Sequence, residues 1–208
     1  MKTKQVVIMC MMLVAAQQVY SQAQVAIGIK AGPNFSKIDT EATVGQNYKN
    51  RAGFHGGAFV LFKAAKFGIQ PEVIFSQQGS KVEINNQNFE SNFSYVNIPI
   101  ILKLYTIGGI NIQAGPQFGF LTNAEVPIQD QLNPGSYEVH DVKDKMKSSD
   151  FTLALGLGWD LPFGLSLDAR YNLGLSKIYD DAPSRQTEDA KNQVFQVSVG
   201  YKLIKLGK

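Results

Sequence analysis

The chain has 208 residues, is 44% hydrophobic and 18% charged, carries a formal net charge of +3 and contains one cysteine. Mean hydropathy is -0.10, and the only long apolar run lies within the first two dozen residues, which excludes a polytopic helical membrane protein. An aromatic content of 11% at so small a net charge argues against disorder, and no clustered basic face points to nucleic acid.

The first element is an export signal. Lys2 and Lys4 form a positive n-region, Val6 to Ala16 an uninterrupted apolar h-region, and Gln17 to Gln24 a short polar stretch with small residues. Cleavage after Ser21 or after Ala23 fits, so residues 1–23 are read as a signal peptide and 24–208 as the mature domain. The h-region is too short for a transmembrane anchor. Cys10 sits inside it behind Met9 with no small-residue motif, so lipidation is rejected. Processing removes Lys2, Lys4 and the only thiol, leaving a nearly neutral exported domain without disulfides.

From residue 24 onward the apolar period is two rather than 3.6. The alternating segments run roughly 24–35, 52–63, 67–80, 93–105, 110–121, 149–161, 165–176 and 193–203. Three links are tight: Ala64-Ala65-Lys66, Thr106 to Gly109, and Pro162-Phe163-Gly164. Four are long and polar, at about 36–51, 81–92, 122–148 and 177–192. An even strand count with alternating short and long connections is the outer-membrane barrel pattern. The predicted fold is therefore all-β: an eight-stranded antiparallel up-and-down transmembrane β-barrel.

The two strand faces differ in kind. One carries only uncharged residues, for example Val25, Ile27 and Ile29 on the first strand and Leu153, Leu155 and Leu157 on the sixth. A charge there would face lipid at a cost of about 2–4 kcal/mol. The other mixes glycines with ionisable groups, and Lys30, Glu72, Lys103, Asp160, Asp168, Arg170 and Lys202 are predicted to pair as a polar network in the lumen. His55 and Lys63 share that face, and Phe59, Leu61, Ile74 and Ile101 intrude on it. A lipocalin-type soluble barrel would invert the faces, but its solvated face would be rich in Lys, Glu and Thr rather than glycine. Aromatics also gather at both ends of the apolar strips. Phe35, Phe54, Phe75, Phe120, Phe151 and Phe195 lie by the long loops, and Phe62, Phe67, Trp159 and Tyr201 by the tight turns. Two such girdles are what the two interfaces of a bilayer select.

Several segments resemble the porin-like outer-membrane β-barrel family of Gram-negative bacteria. They are Val25 to Ser36 (VAIGIKAGPNFS), Gly53-Phe54-His55-Gly56-Gly57, Gln70 to Gly79 (QPEVIFSQQG), Tyr95-Val96-Asn97-Ile98-Pro99, Ala114-Gly115-Pro116-Gln117 and Val199-Gly200-Tyr201-Lys202. The resemblance covers nearly the whole mature chain. It implies an eight-stranded barrel in the cell outer membrane, assembled by the barrel-insertion machinery, and it carries over no catalytic residues. Here Leu203 to Lys208 continue past the terminal aromatic Tyr201. The partners expected are outer-membrane lipid and lipopolysaccharide and the assembly machinery, for a monomer whose loop ligand is unspecified.

No cofactor, metal or catalytic set is assigned. His140-Asp141 in the longest loop is a single adjacent pair, whereas catalysis needs a nucleophile, base and orienter converging in space. The acidic loop residues Asp130, Asp141, Asp144, Asp180, Asp181, Glu188 and Asp189 match no calcium loop, and lysines at 143, 145, 147 and 191 are interleaved with them. Gly156-Leu157-Gly158 precedes no helix and is no nucleotide fingerprint. Pro33, Pro71, Pro99 and Pro116 require bulges or ladder gaps. The expected function is a non-enzymatic barrel with a plugged lumen and long loops for surface interaction or envelope integrity. The alternatives are a small channel for ions or solutes, and a loop-borne surface enzyme.

Overall fold

The computed structural model describes residues 23–39, 47–84, 87–129, 137–143, 147–176 and 191–207. The predicted signal segment through residue 22 and the loop residues Asp130, Asp144, Lys145, Asp180, Asp181, Glu188 and Asp189 lie outside them. Nine strands form one antiparallel sheet: β1 Ala23–Asp39, β2 Asn47–Ala64, β3 Phe67–Ile84, β4 Gln87–Tyr105, β5 Ile110–Gln129, β6 Tyr137–Asp141, β7 Ser149–Asp160, β8 Leu165–Gly174 and β9 Lys191–Gly207. Eight of them run round in sequence order, and β1 pairs with both β2 and β9, so the sheet closes. The short β6 flanks the upper part of β5, Glu125 facing Asp141 and Gln129 facing Tyr137.

The alternating segments all lie in barrel strands, but the strands run further than the apolar alternation. β4 has 19 residues and β5 has 20, against the roughly 9–11 that cross a membrane. The loops expected at 36–51 and 81–92 are therefore largely strand, and that at 122–148 contains strand at 122–129 and 137–141. The β3–β4 ladder continues to Ile84 opposite Gln87, leaving only residues 85 and 86 between the strands. Backbone pairing does not require a lipid-facing strip, so the hairpin continues the sheet beyond it. At the opposite end the turns are tight, with Ala65 at φ 52° and Phe163 at φ 63°, left-handed positions held by non-glycine residues.

Each of the four prolines sits beside a two-residue gap in one ladder, and the register is the same on both sides of it. The gaps lie in β1–β9 at Gly32 and Pro33, in β2–β3 at Gln70 and Pro71, in β3–β4 at Ile98 and Pro99, and in β4–β5 at Gly115 and Pro116. A proline has no N–H to donate, so one strand-facing carbonyl loses its donor. At two sites the preceding glycine covers that carbonyl. A Cβ on Gly32 would lie 1.9 Å from the Val197 oxygen, and one on Gly115 would lie 2.0 Å from the Ile100 oxygen. The bulges fall elsewhere, between Ile27 and Gly28, Asn50 and His55, and Ser94 and Tyr95. The first of these absorbs Leu203, so β9 continues past Tyr201 and pairs Gly207 with Gln24.

The pleat sorts the faces. The outward strips are exposed, with Val73 at 56% and Leu157 at 60%, whereas Lys30, Glu72, Lys103, Asp168 and Arg170 are at 4% or less. Buried apolar side chains form two separate clusters inside the barrel. Ala26, Phe59 and Leu61 make one. Phe93, Tyr95, Leu121 and Ala124 make the other, towards the long hairpins, with Val126 and Val142 packed against it.

Candidate functional site: the charged interior of the barrel

Inward positions recur at every second residue of every strand, so charges far apart in sequence meet across the lumen. Arg170 on β8 clamps Glu72 on β3. Its Nη1 donates to Oε2 at 2.9 Å and its Nη2 to Oε1 at 2.7 Å. Lys30 on β1 donates to Asp168 Oδ2 at 3.0 Å and stands 3.6 Å from Glu72 Oε1. Lys103 on β4 lies 3.7 Å from both Asp168 and Asp160. Lys202 on β9 donates to Asp160 Oδ2 at 2.6 Å, and the Tyr105 hydroxyl donates to the same oxygen at 2.9 Å. The structure thus joins all seven ionisable residues named from the sequence into one network, and Lys30 and Asp168 link its two halves.

Neutral groups that sequence reasoning did not single out complete it. Gln113 Nε2 donates to Asp168 Oδ1 at 2.5 Å, and its Oε1 accepts from Arg170 Nε at 2.6 Å. Gln70 donates to Glu72 Oε1 at 2.7 Å. Nearer the hairpin end, His55 Nδ1 lies 2.6 Å from Asn34 Oδ1, and Nε2 lies 2.7 Å from Ser198 Oγ. The Asn34 amide nitrogen donates to Ser76 Oγ, Phe54 O and Gln77 O. Its oxygen therefore accepts from His55 Nδ1–H, and a neutral ring accepts the Ser198 hydroxyl at Nε2. These four residues tie β1, β2, β3 and β9 together across the closing seam. Strand parity placed Asn34, Ser76, Gln113 and Ser198 inside, but an uncharged side chain gives no sequence cue that it must find a partner there.

The energetics follow from burial. A buried ion pair gains little over an apolar pair of the same shape, but removing one partner leaves an uncompensated charge at a cost of about 3–5 kcal/mol. Four cations face three carboxylates, and Gln113 and Gln70 add hydrogen bonds to Asp168, Arg170 and Glu72. At the tight-turn mouth, Lys63 Nζ stands 4.0 Å from the Tyr105 ring centroid.

The ten aromatic residues named from the sequence all point outward and are exposed. Phe54 and Phe62 bracket the lipid-facing stretch of β2, Phe67 and Phe75 that of β3, and Phe151 and Trp159 that of β7. Phe35 packs on Phe195 at 6.4 Å between ring centroids, across the β1–β9 seam. Trp159 Nε1 donates to Gly108 O at 3.0 Å. His140 and Asp141 lie on β6 opposite Val126 and Glu125, and Asp141 Oδ1 accepts the Lys143 N–H at 2.9 Å.

A closed eight-stranded antiparallel barrel with an apolar outer wall and a charge-paired interior is a membrane-spanning barrel of the bacterial outer-membrane class. Residues 16–180 match the family described as outer membrane protein beta-barrel domain, and the chain belongs to that family. No curated protein sequence matches it. Among solved structures it is similar to neisserial surface protein A, with a TM-score of 0.53 at 11% identity over 86% of this chain and 99% of that one. It is also similar to Ail, the attachment invasion locus protein of Yersinia pestis (TM-score 0.48, 16% identity, 89% and 99% covered). A third is OprG of Pseudomonas aeruginosa (TM-score 0.47, 12% identity, 92% and 99% covered). Identities this low carry the fold alone.

Proposed function

We propose that this outer-membrane barrel is non-enzymatic and non-conducting, a scaffold whose plugged lumen holds the long hairpins of β3–β4 and β5–β6 at the cell surface for surface interaction or envelope integrity. The observation that carries this reading is the ion network, which runs across the lumen from Glu72 on β3 and Lys30 on β1 to Arg170 on β8 and Lys202 on β9. The buried Ala26, Phe59 and Leu61 pack beside it inside the barrel. An ion crossing the barrel would have to break buried pairs. His140 and Asp141 are neighbours on a strand and so point to opposite faces, which supports a loop surface for contact rather than catalysis. The partners fitting this reading are outer-membrane lipid and lipopolysaccharide around a monomer, with the assembly machinery acting during insertion.

Planar-bilayer recording of the purified, folded chain tests it. The expected result is no steady unitary conductance. Steady conductance would instead support a small channel with Lys30, Lys103, Arg170 and Lys202 lining its constriction. Fractionation with gel migration before and after boiling is expected to place the chain in the outer membrane with a heat-dependent shift.

A further inference from the structure

At the tight-turn end two large apolar side chains stand almost wholly free. Ile107 is 90% exposed and Phe163 is 91% exposed. Phe163 also holds a left-handed backbone with φ 63°, which disfavours a bulky residue even before its exposure is counted. The two tips are neighbours. Ile110, next to the first turn, pairs with Trp159, next to the second, and Trp159 Nε1 donates to Gly108 O. A cation flanks each side. The Lys66 carbonyl accepts the Tyr105 N–H at 2.7 Å, which sets Lys66 beside the turn bearing Ile107. The Lys205 ammonium lies 3.3 Å from where a Cβ on Gly164 would stand, beside Phe163. Among the described residues no salt bridge engages Lys66 or Lys205, and the one carboxylate near this mouth, Asp160, is taken by Lys202, Tyr105 and Lys103. Next to the tips, an apolar groove of about 410 Å³ on the outer wall is lined by Ile110, Leu157, Trp159, Leu167, Ala169 and Val197.

We propose that this rim is a binding site for anionic phospholipid of the leaflet facing the tight turns. An acyl chain lies in the groove, Ile107 and Phe163 reach the headgroup layer just past the Trp159 girdle, and Lys66 and Lys205 supply the positive charge of the rim that favours a headgroup with net negative charge. A free phosphate would leave the groove and tips uncovered, and a zwitterionic lipid would leave the lysine charges uncompensated.

The only tryptophan of the chain, Trp159, lines the groove and reports on it. The full mature chain is folded into phosphatidylcholine vesicles containing increasing fractions of brominated phosphatidylglycerol, or of brominated phosphatidylcholine, and quenching of Trp159 is read. Phosphatidylglycerol is expected to bind about threefold or more tightly than phosphatidylcholine at low salt, since each lysine at an anionic surface contributes. The Lys66→Gln/Lys205→Gln double variant is expected to bring the ratio to about one, and Lys143→Gln at the opposite end is expected to leave it unchanged. The heat-dependent gel shift verifies that each variant is folded. Equal binding of the two lipids by the native chain, or a preference that survives in the double variant, overturns the proposal.

Discussion

On β8, Leu165, Leu167 and Tyr171 look outward, while Ser166, Asp168, Arg170 and Asn172, alternating with them, are buried in the lumen. The two faces of one wall thus answer to different physics. The lipid face must only avoid charge and unmet polar groups, so Leu, Val, Ile, Ala and Phe are interchangeable there to a first approximation. The lumen face must supply every buried charge with a partner in defined geometry, and exchanging Gln113 removes one hydrogen bond each from Asp168 and Arg170. One face tolerates substitution within a class; the other specifies individual residues.

Breaking the lumen network is expected to have the largest effect. Glu72→Gln leaves Arg170 and Lys30 short of their carboxylate, a loss of about 3–5 kcal/mol, read as a lower urea midpoint for the barrel folded in lipid vesicles. Leu155→Arg asks the converse question on the lipid face. At mid-strand it is expected to cost about 2–4 kcal/mol in the same assay, whereas Leu155→Ile stays near the native midpoint. Should Leu155→Arg fold without loss, the outer wall does not face hydrocarbon. Ser198→Ala tests the uncharged part of the interior. It leaves His55 Nε2 without its hydroxyl, for an expected loss of about 1–3 kcal/mol. The smallest effect is expected at the seam on the lipid side, where Phe35→Leu removes the ring contact with Phe195 for about 0.5–1.5 kcal/mol.

Much of this was legible beforehand because strand parity is a strict geometric rule. Once Val25, Ile27 and Ile29 are assigned outward, Lys30 and Asn34 must face inward, and the same holds for Asp168 and Arg170 once Leu167 is assigned outward. Three features were not legible. The upper parts of β3, β4 and β5 lie beyond the lipid-facing apolar strips, and pairing reveals that they are strand. The prolines predicted a disturbance of the ladder, but its form depends on the neighbouring strand: a gap beside Pro33 in β1–β9, with the bulge at Ile27 and Gly28 instead. Phe59, Leu61 and Ile101 read as exceptions on a polar face. Phe59 and Leu61 pack with Ala26 inside the barrel, and Ile101 is wholly buried as well.

The sequence by itself determined the strand count, the tight turns and which side of each strand meets lipid, because these follow from local periodicity and turn chemistry. Which cation meets which carboxylate was decided only by the closed barrel. Glu72 and Arg170 are 98 residues apart, and Lys30 and Asp168 are 138 apart. No local pattern relates residues at such separations. They meet because closing β1 onto β9 fixes the stagger of all eight strands at once, and that shared register sets the height at which each side chain enters the lumen.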